Sequence, residues 1–600
     1  MHPASPTVAP SPANGRIWPR SFADASSGAV RFWLLLSLAL AVAYAVPSYQ
    51  VIFDADYAVQ DDARQHVFWM ARFQDPGAFP NDPIADYFQS VAPPGFAALY
   101  RLAALVGIAP LDLHRVLPIL LALATSWLCF RVVLLMLPLP VAAFLATALL
   151  SQNHWLKDDV ISATPRAFAY PLFAAFLYLL LRRSPIPVLV TVVLLGLFYP
   201  QVVTLCLAMA VLQLVRWKGW RPDLIRERSA RVLCLATLAV SLLVLVPHAL
   251  FGSPFGPQVG AAEARQMPEV LSDGRTEFFV TDALDFWLYG ERSGFLPFEW
   301  GRAPLWPPQF FLAFLLPPLL VFRSRFPLVR QLSPAAASAI PQLLLSGLGM
   351  FLAAHQLLFT LHLPARYSQF SLRFALAMAA GLALAIAIDG VYRWARQPGG
   401  QAGELARSIV RLGALGLGAW VLLYPLLLEL DGGVYPYTNY RHGTLPSLYQ
   451  FFARQPAGSL IASLDAEANN IPSFARRSIL VGREYAIPFH LGYYLPFRQR
   501  TLDLIQAQYS SDPQALRTPI ERYGIDFLLL DRDALTPEYL AANDWVMQFE
   551  STTRALSNLR RGEVPALTGL IEPCTVFETR RLVVLDGECL VKAIDSPSGQ

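Results

Sequence analysis

Seven aspartates stand directly behind the first long apolar run of the chain. Asp54, Asp56, Asp61, Asp62, Asp75, Asp82 and Asp86 follow Phe32 to Phe53 and are opposed only by Arg64 and Arg72. A carboxylate drawn into hydrocarbon costs roughly 2.5–3.5 kcal/mol on insertion scales, so acids clustered beside a membrane span belong to a water-facing loop that handles protons or a cation. The adjacent pair Asp61-Asp62 opens the segment Gln60 to Phe73, which reads as an amphipathic helix. Its acids sit at the N-terminus, where the helix dipole favours them. Val67, Phe68, Trp69, Met70, Ala71 and Phe73 are expected to lie in the membrane interface.

Three further groups are candidates. His154, Lys157, Asp158, Asp159 and Arg166 lie between two apolar segments and form a second acidic pair with its own cations. Arg366 and Tyr367 open a late apolar helix. An arginine at a helix start can grip a phosphate through two parallel charge-assisted hydrogen bonds. Arg373, two turns on, reads as an interfacial arginine snorkelling to lipid phosphates, and His355 as a core histidine. The long loop Phe251 to Trp306 carries Arg265, Arg275, Glu291, Arg292, Glu299, Trp300 and Arg302, with the length of a functional loop rather than a connector.

The elements that must position these groups are membrane helices. With 55% hydrophobic residues, 15% charged residues and mean hydropathy +0.42, the chain is a polytopic membrane protein. A net charge of +4 offers no case for nucleic-acid binding. Helices are predicted over 32–53, 93–109, 115–137, 140–152, 165–181, 186–199, 200–216, 231–250, 307–322, 336–361, 367–389 and 408–429. Tyr199-Pro200 makes a tight turn, and Phe32 to Phe53 an uncleaved signal anchor. Keeping the Arg-rich loops cytoplasmic gives about eleven crossings, with the N-terminus inside. Loops 54–92 and 251–306 and the C-terminal part are then outside. Residues 1–31 read as a disordered cytoplasmic tail, 32–430 as the membrane domain and 431–600 as a soluble extracytoplasmic α/β domain.

In that last part, short β-rich runs (459–463, 478–481, 527–530, 581–584) alternate with helical stretches over 501–509 and 513–523. Cys129, Cys206 and Cys234 read as core residues, while Cys574 and Cys589 are either a disulfide or two free thiols. No internal repeat, Gly-rich phosphate loop, CxxC, HExxH or GxSxG is present.

Taken in order, these motifs resemble the GT-C superfamily, membrane glycosyltransferases that use polyprenyl-phosphate-linked sugars, in the group containing protein mannosyltransferases and aminoarabinose transferases. The resemblance runs from Phe32 to Ile388. It rests on Asp61-Asp62-Ala63 with its aromatics, Pro93-Pro94-Gly95, His114-Arg115 with Leu117-Pro118, Asp158 or Asp159, and Arg366-Tyr367. The chain departs from the pattern in having Asp-Asp where Asp-Glu is commoner, and Thr164-Pro165-Arg166 after Lys157-Asp158-Asp159.

The resemblance implies an inverting transfer of a hexose or pentose to an envelope glycan, lipid or protein on the outer face of the plasma membrane. Asp61, or secondarily Asp62, would be the general base. Arg366 would stabilise the leaving polyprenyl phosphate. Asp158 or Asp159 would orient the base or, with the first pair, hold a divalent cation (Mg or Mn), Asp61 and Asp159 being its ligands. Tyr367, His154, Lys157, Arg166 and Arg292 would contact substrate. Membrane lipids, the lipid-linked donor and the acceptor are the expected partners, with no nucleic acid. Two other readings are a transporter or flippase of lipid-linked glycans and a non-catalytic envelope scaffold. Against transport, the charges gather in loops rather than at mid-helix.

Overall fold

A computed structural model describes residues 27–595, apart from 219–220, 226, 252, 273, 303–305, 396–402 and 431–434. Of the tail expected over 1–31, residues 1–26 lie outside the described residues and 27–31 are already helical. The principal helices are α1 (Ser27–Phe53), α2 (Pro110–Met136), α3 (Pro140–Trp155), α4 (Pro165–Leu181), α5 (Arg228–Phe251), α6 (Ala339–Gln356), α7 (Ala365–Ala395) and α8 (Glu404–Leu430). Among the described residues, six helical segments are long and apolar enough to cross a membrane: Gly28–Phe53, Pro110–Met136, Arg228–Val246, Pro334–Gln356, Ala365–Ala395 and Glu404–Leu430. Pro165–Leu181, Pro185–Phe198 and Gln201–Leu212 are shorter apolar helices, and Pro308–Val321 is a shorter apolar stretch of helical turns.

Proline marks many of the starts. It stands in the first turn of α2, α3 and α4, where its missing N–H would have no intrahelical partner and its fixed φ suits the helix. Elsewhere proline interrupts. The single helix expected over 307–322 breaks into Pro308–Ala313 and Leu316–Val321, because Pro317 and Pro318 cannot donate to the preceding turn. The helix expected over 93–109 ends at Leu105, before Gly107 in the left-handed region at φ +87°. The expected turn at Tyr199-Pro200 lies between Pro185–Phe198 and Gln201–Leu212.

The centre of the bundle is α7. It has no separate polar face and is buried along most of its length, as suits a helix at the middle of a bundle. It packs on α3 and α6. Small residues bring the backbones together: a Cβ added at Gly381 would lie 2.4 Å from the Ala146 backbone nitrogen on α3. This crossing aligns the end of α3 with the start of α7, and the second acidic pair and Arg366 lie at those two ends.

Segment 60–73 differs from its expectation. Residues Ala58–Gln60 form a strand, β1, followed by a single helical turn (Ala63–His66) and a 3-10 turn (Phe68–Phe73). Phe68, Trp69 and Met70 are buried in protein rather than spread on the bilayer, with Phe68 edge-on to Phe79, Phe88 and Tyr485. An aromatic set flanked by other aromatics gains more from direct packing than from an interface.

The strand β1 pairs antiparallel with β2 (Tyr440–His442), with Val59 opposite Arg441 and Gln60 opposite Tyr440. Beyond it, β3 (Leu460–Ala462), β4 (Ser478–Ile479), β5 (Phe527–Asp531), β6 (Thr575–Glu578) and β7 (Leu582–Asp586) form one sheet in the order β4-β3-β5-β7-β6. The pairs β4-β3 and β3-β5 are parallel, and β5-β7 and β7-β6 antiparallel. Helices Leu491–Tyr509 and Pro513–Tyr523 connect the strands, the second capped by Asp512 and ended by Gly524 at φ +67°. Cys574 and Cys589 form a disulfide, and Cys129, Cys206 and Cys234 are free and buried.

Candidate active site

The β1-β2 pairing carries the first acidic pair to residues almost four hundred positions away. The Asp61 amide donates to the Asn439 carbonyl at 3.2 Å. Its carboxylate accepts from Arg64 and, at 2.9 Å, from Arg441 Nε. Asn439 sits at φ +52°, a left-handed conformation that asparagine tolerates better than most residues. From there its Nδ2 reaches Asp61 Oδ2 at 3.2 Å and Asp158 Oδ2 at 3.3 Å. Gln60 Nε2 also donates to Asp158 Oδ2, at 3.2 Å. The two acidic pairs are thus brought together, bridged by side-chain amides.

Arg166, in the first turn of α4, sits among three of the four aspartates. It pairs with Asp62 Oδ2 at 2.5 Å, Asp158 Oδ1 at 3.0 Å and Asp159 Oδ1 at 3.2 Å. Asp159 is further surrounded by Lys157 (3.7 Å), Arg366 (3.7 Å) and Arg373 (3.4 Å), and accepts from the Tyr170 hydroxyl at 2.9 Å. Lys157 donates to Gln369 at 3.0 Å and lies over the Phe298 ring. Arg292 lies beside Glu291 at 3.6 Å, among the charges of Arg366, Arg275 and Asp62.

Electrostatics separate the acids. Burial would raise the Asp61 carboxyl, but Arg64 and Arg441 hold it down at about 2. Burial likewise opposes ionisation of Asp159, and Lys157 and Arg166 outweigh it, keeping this group well below the ordinary carboxylate range. At Asp158 burial prevails over the pull of Arg166 and lifts the group. Lys157 is brought down to about 8 by burial, against the pull of Asp159. Asp62 has the most open side chain of the four, 25% exposed against 10% for Asp61 and Asp158 and 2% for Asp159.

One cation stands apart. The Arg366 side chain is 13% exposed, and its buried Nε and Nη1 have no hydrogen-bond partner among the described residues, Nη1 having only the 3.7 Å ion pair with Asp159. The ion pairs around it join Asp61, Asp62, Asp158, Asp159, Glu291, Glu299 and Glu484 to Arg64, Lys157, Arg166, Arg275, Arg292, Arg366, Arg373 and Arg441. Seven carboxylates face eight cations. A buried guanidinium with unpaired N–H groups in a site one cation in excess suits an anion.

The interfacial reading of Arg373 is corrected. Arg373 does not snorkel: it is completely buried, bound to Glu299 Oε1 at 2.5 Å and donating to the Tyr170 hydroxyl at 3.1 Å. A guanidinium with carboxylate partners inside the protein has no need of lipid phosphate. The Tyr367 hydroxyl donates to the Leu361 carbonyl at 2.7 Å and so braces the loop before α7. His154 is buried edge-on to Tyr170, with no hydrogen bond to either ring nitrogen among the described residues.

The cation expectation also fails the test of fit. Asp61 is bound by Arg64, Arg441 and Asn439, and although Asp159 Oδ1 has no hydrogen-bond partner among the described residues, it lies within 4 Å of Lys157, Arg166 and Arg366, whose charges a metal ion would have to face. Among the described residues no group of three His, Cys, Asp or Glu side chains is placed to hold one.

Other participants had no sequence signal. Asn439, Arg441 and Glu484 come from the part of the chain beyond the last membrane helix. Glu484 accepts from Arg64 at 3.2 Å, from Arg275 at 2.7 Å and from Gln65. Nothing in their local spacing marks them. Arg275, Glu291 and Glu299 do belong to the long loop singled out by its length. That loop docks on α7, where the Ala365 amide donates to the Arg292 carbonyl at 3.2 Å.

No protein family and no curated protein matches the chain by sequence. Solved structures do match by fold. The oligosaccharyltransferase AglB of Archaeoglobus fulgidus, in complex with an inhibitory peptide and a dolichol-phosphate, aligns with TM-score 0.54 at 12% identity, over 88% of this chain and 72% of that one. The apo form of the Archaeoglobus fulgidus oligosaccharyltransferase aligns with TM-score 0.51 at 13% identity, over 91% of this chain and 72% of that one. The chain therefore shares the fold of these oligosaccharyltransferase structures.

Proposed function

We propose that the chain is a glycosyltransferase that moves a sugar from a polyprenyl-phosphate donor to an envelope glycan, lipid or protein on the outer face of the plasma membrane. The observation that carries this reading is Arg366, whose buried N–H groups are unpaired beside the two acidic pairs. A donor phosphate would supply the missing acceptors. The fold is consistent with such a donor, since its structural neighbour is an oligosaccharyltransferase seen with a dolichol-phosphate. The disulfide Cys574–Cys589 supports an oxidising, extracytoplasmic location for the C-terminal residues, and an odd number of crossings, about eleven, follows if the Arg-rich loops stay inside.

In this reading the acceptor hydroxyl or amine attacks the anomeric carbon and gives its proton to an aspartate. Asp62 fits better than Asp61. The Asp61 oxygens are taken by Arg64, Arg441 and Asn439, whereas Asp62 has the more open carboxylate and a single arginine partner. The bond from the anomeric carbon to the phosphate oxygen breaks with its electron pair on the phosphate, where Arg366 stabilises the added charge. The products are the inverted glycoside and polyprenyl phosphate. Asp61 acts as the anchor that fixes the base through β1. No step is routed through a cation.

The test is release of polyprenyl phosphate in proteoliposomes supplied with polyprenyl-phosphate-linked hexose or pentose and an envelope glycan extract. Asp62→Asn is expected to lower release by about 10²–10⁴, the usual worth of a positioned base, with folding intact. Wild-type protein that moves a lipid-linked glycan across the bilayer while releasing no polyprenyl phosphate would make the chain a transporter.

A further inference from the structure

We infer that Arg166 takes the place a divalent cation would hold, so that the acidic pairs are assembled around a fixed guanidinium instead of a metal ion. The inference rests on Asp61-Asp62 and Asp158-Asp159 being the reactive cluster proposed above. Three carboxylates and a carbonyl converge on this one side chain, and they are the ligand types that magnesium and manganese take. Nη2 lies 2.5 Å from Asp62 Oδ2, 3.0 Å from Asp158 Oδ1 and 3.3 Å from the Asp158 carbonyl, and Nη1 lies 3.2 Å from Asp159 Oδ1.

The local sequence explains the placement. Pro165 fixes the start of α4. The next residue then reaches back over the loop 156–164 that carries Asp158 and Asp159. Arg166 is only 9% exposed, so it is held in the cluster and not drawn in from solvent. Its charge persists at any working pH, and its planar fork can serve several carboxylates at once where an ammonium could not. A dication placed among the same oxygens would face Arg166 directly, with Lys157, Arg366 and Arg373 already within 4 Å of Asp159. Arg166 is a positioning residue: it aims the Asp62 carboxylate and holds the second pair against it without touching substrate.

Mn2+ is the probe, followed by electron paramagnetic resonance on the full chain in nanodiscs stripped with EDTA. Wild-type protein is expected to leave the free Mn2+ signal unchanged, and EDTA to leave donor turnover unchanged. Removal of the guanidinium in Arg166→Ala opens the ring of acids, so this variant is expected to lose turnover and to gain a bound Mn2+ that the added change Asp158→Asn abolishes. If Arg166→Ala does not fold, Arg166→Gln serves the same measurement.

Tight Mn2+ binding by wild type, or turnover lost to EDTA, overturns the inference, as does a folded Arg166 variant that acquires no Mn2+. The resonance measurement needs no transfer. Absence of turnover with every donor, alongside the expected Mn2+ behaviour, would therefore sink the glycosyltransferase reading and leave the role of Arg166 standing.

Discussion

Two arginines on one helix face opposite fates. Arg366 and Arg373 lie two turns apart on α7 and carry the same charge, but Arg373 is committed to Glu299, Asp159 and Tyr170 while Arg366 has two nitrogens without a hydrogen-bond partner among the described residues. Arg366→Lys should therefore leave folding near normal and lower donor turnover roughly 10–100-fold, since a charge-assisted hydrogen bond is worth about 1.5–3 kcal/mol. Arg373→Ala should instead destabilise by about 3–5 kcal/mol, the cost of leaving a partner charge buried and alone. Thermal unfolding and donor kinetics measured on both variants check this, and equal kinetic losses at equal stability would remove Arg366 from the donor site.

Lys157 adds a pH dependence. With its folded value at about 8, it is charged below that pH and neutral above it, so turnover should fall on the alkaline side near pH 8. Lys157→Arg, which stays charged, should flatten that limb, and an unchanged alkaline limb in the variant would assign it to another group.

At this scale the acids, Lys157, Arg166 and Arg366 were legible in the sequence because charges are costly in so apolar a chain and stand out against it. The burial of Arg373 has no such signal, because its partners, Glu299 and Tyr170, come from other segments.

The helices explain how these charges are kept in register. Long apolar runs with proline at their starts were readable from composition, and the structure moves most of their ends by only a few residues. The strands β1 and β2 were not readable, since three residues each are too few for an alternation signal and nearly four hundred residues separate them. Nor did composition indicate how closely α3 and α7 pack. There the contact at Gly381 leaves no room for a side chain, and the nearest atoms belong to the backbone of Ala146, which cannot swing aside. Gly381→Val should push the helices apart, costing about 1–3 kcal/mol of overpacking, and should lower turnover by displacing Arg366 relative to Asp159. Gly349→Val, on α6 with nothing within 4 Å of its added Cβ, is the control. Equal stability and turnover in the two variants would refute the dependence of the site on this crossing.

On the scale of the whole chain, the site is built from both halves. Arg441 and Asn439 hold Asp61, and Glu484 holds Arg64, Gln65 and Arg275. Residues beyond α8 therefore complete a cluster that the first acidic loop begins. Hydropathy could delimit these parts but not join them, because the contacts that do so are long-range ion pairs with no sequence period.

The cysteines make the orientation of that cluster measurable. Cys129, Cys206 and Cys234 are buried, and Cys574 and Cys589 are joined, which leaves little background for thiol labelling. Val564 is 65% exposed on the C-terminal part, so Val564→Cys should be tolerated. If the acidic loop faces outward as proposed, a membrane-impermeant maleimide should label this variant in intact cells. Labelling only after lysis would put the acidic loop and the C-terminal residues together on the cytoplasmic side, and would require a donor presented there.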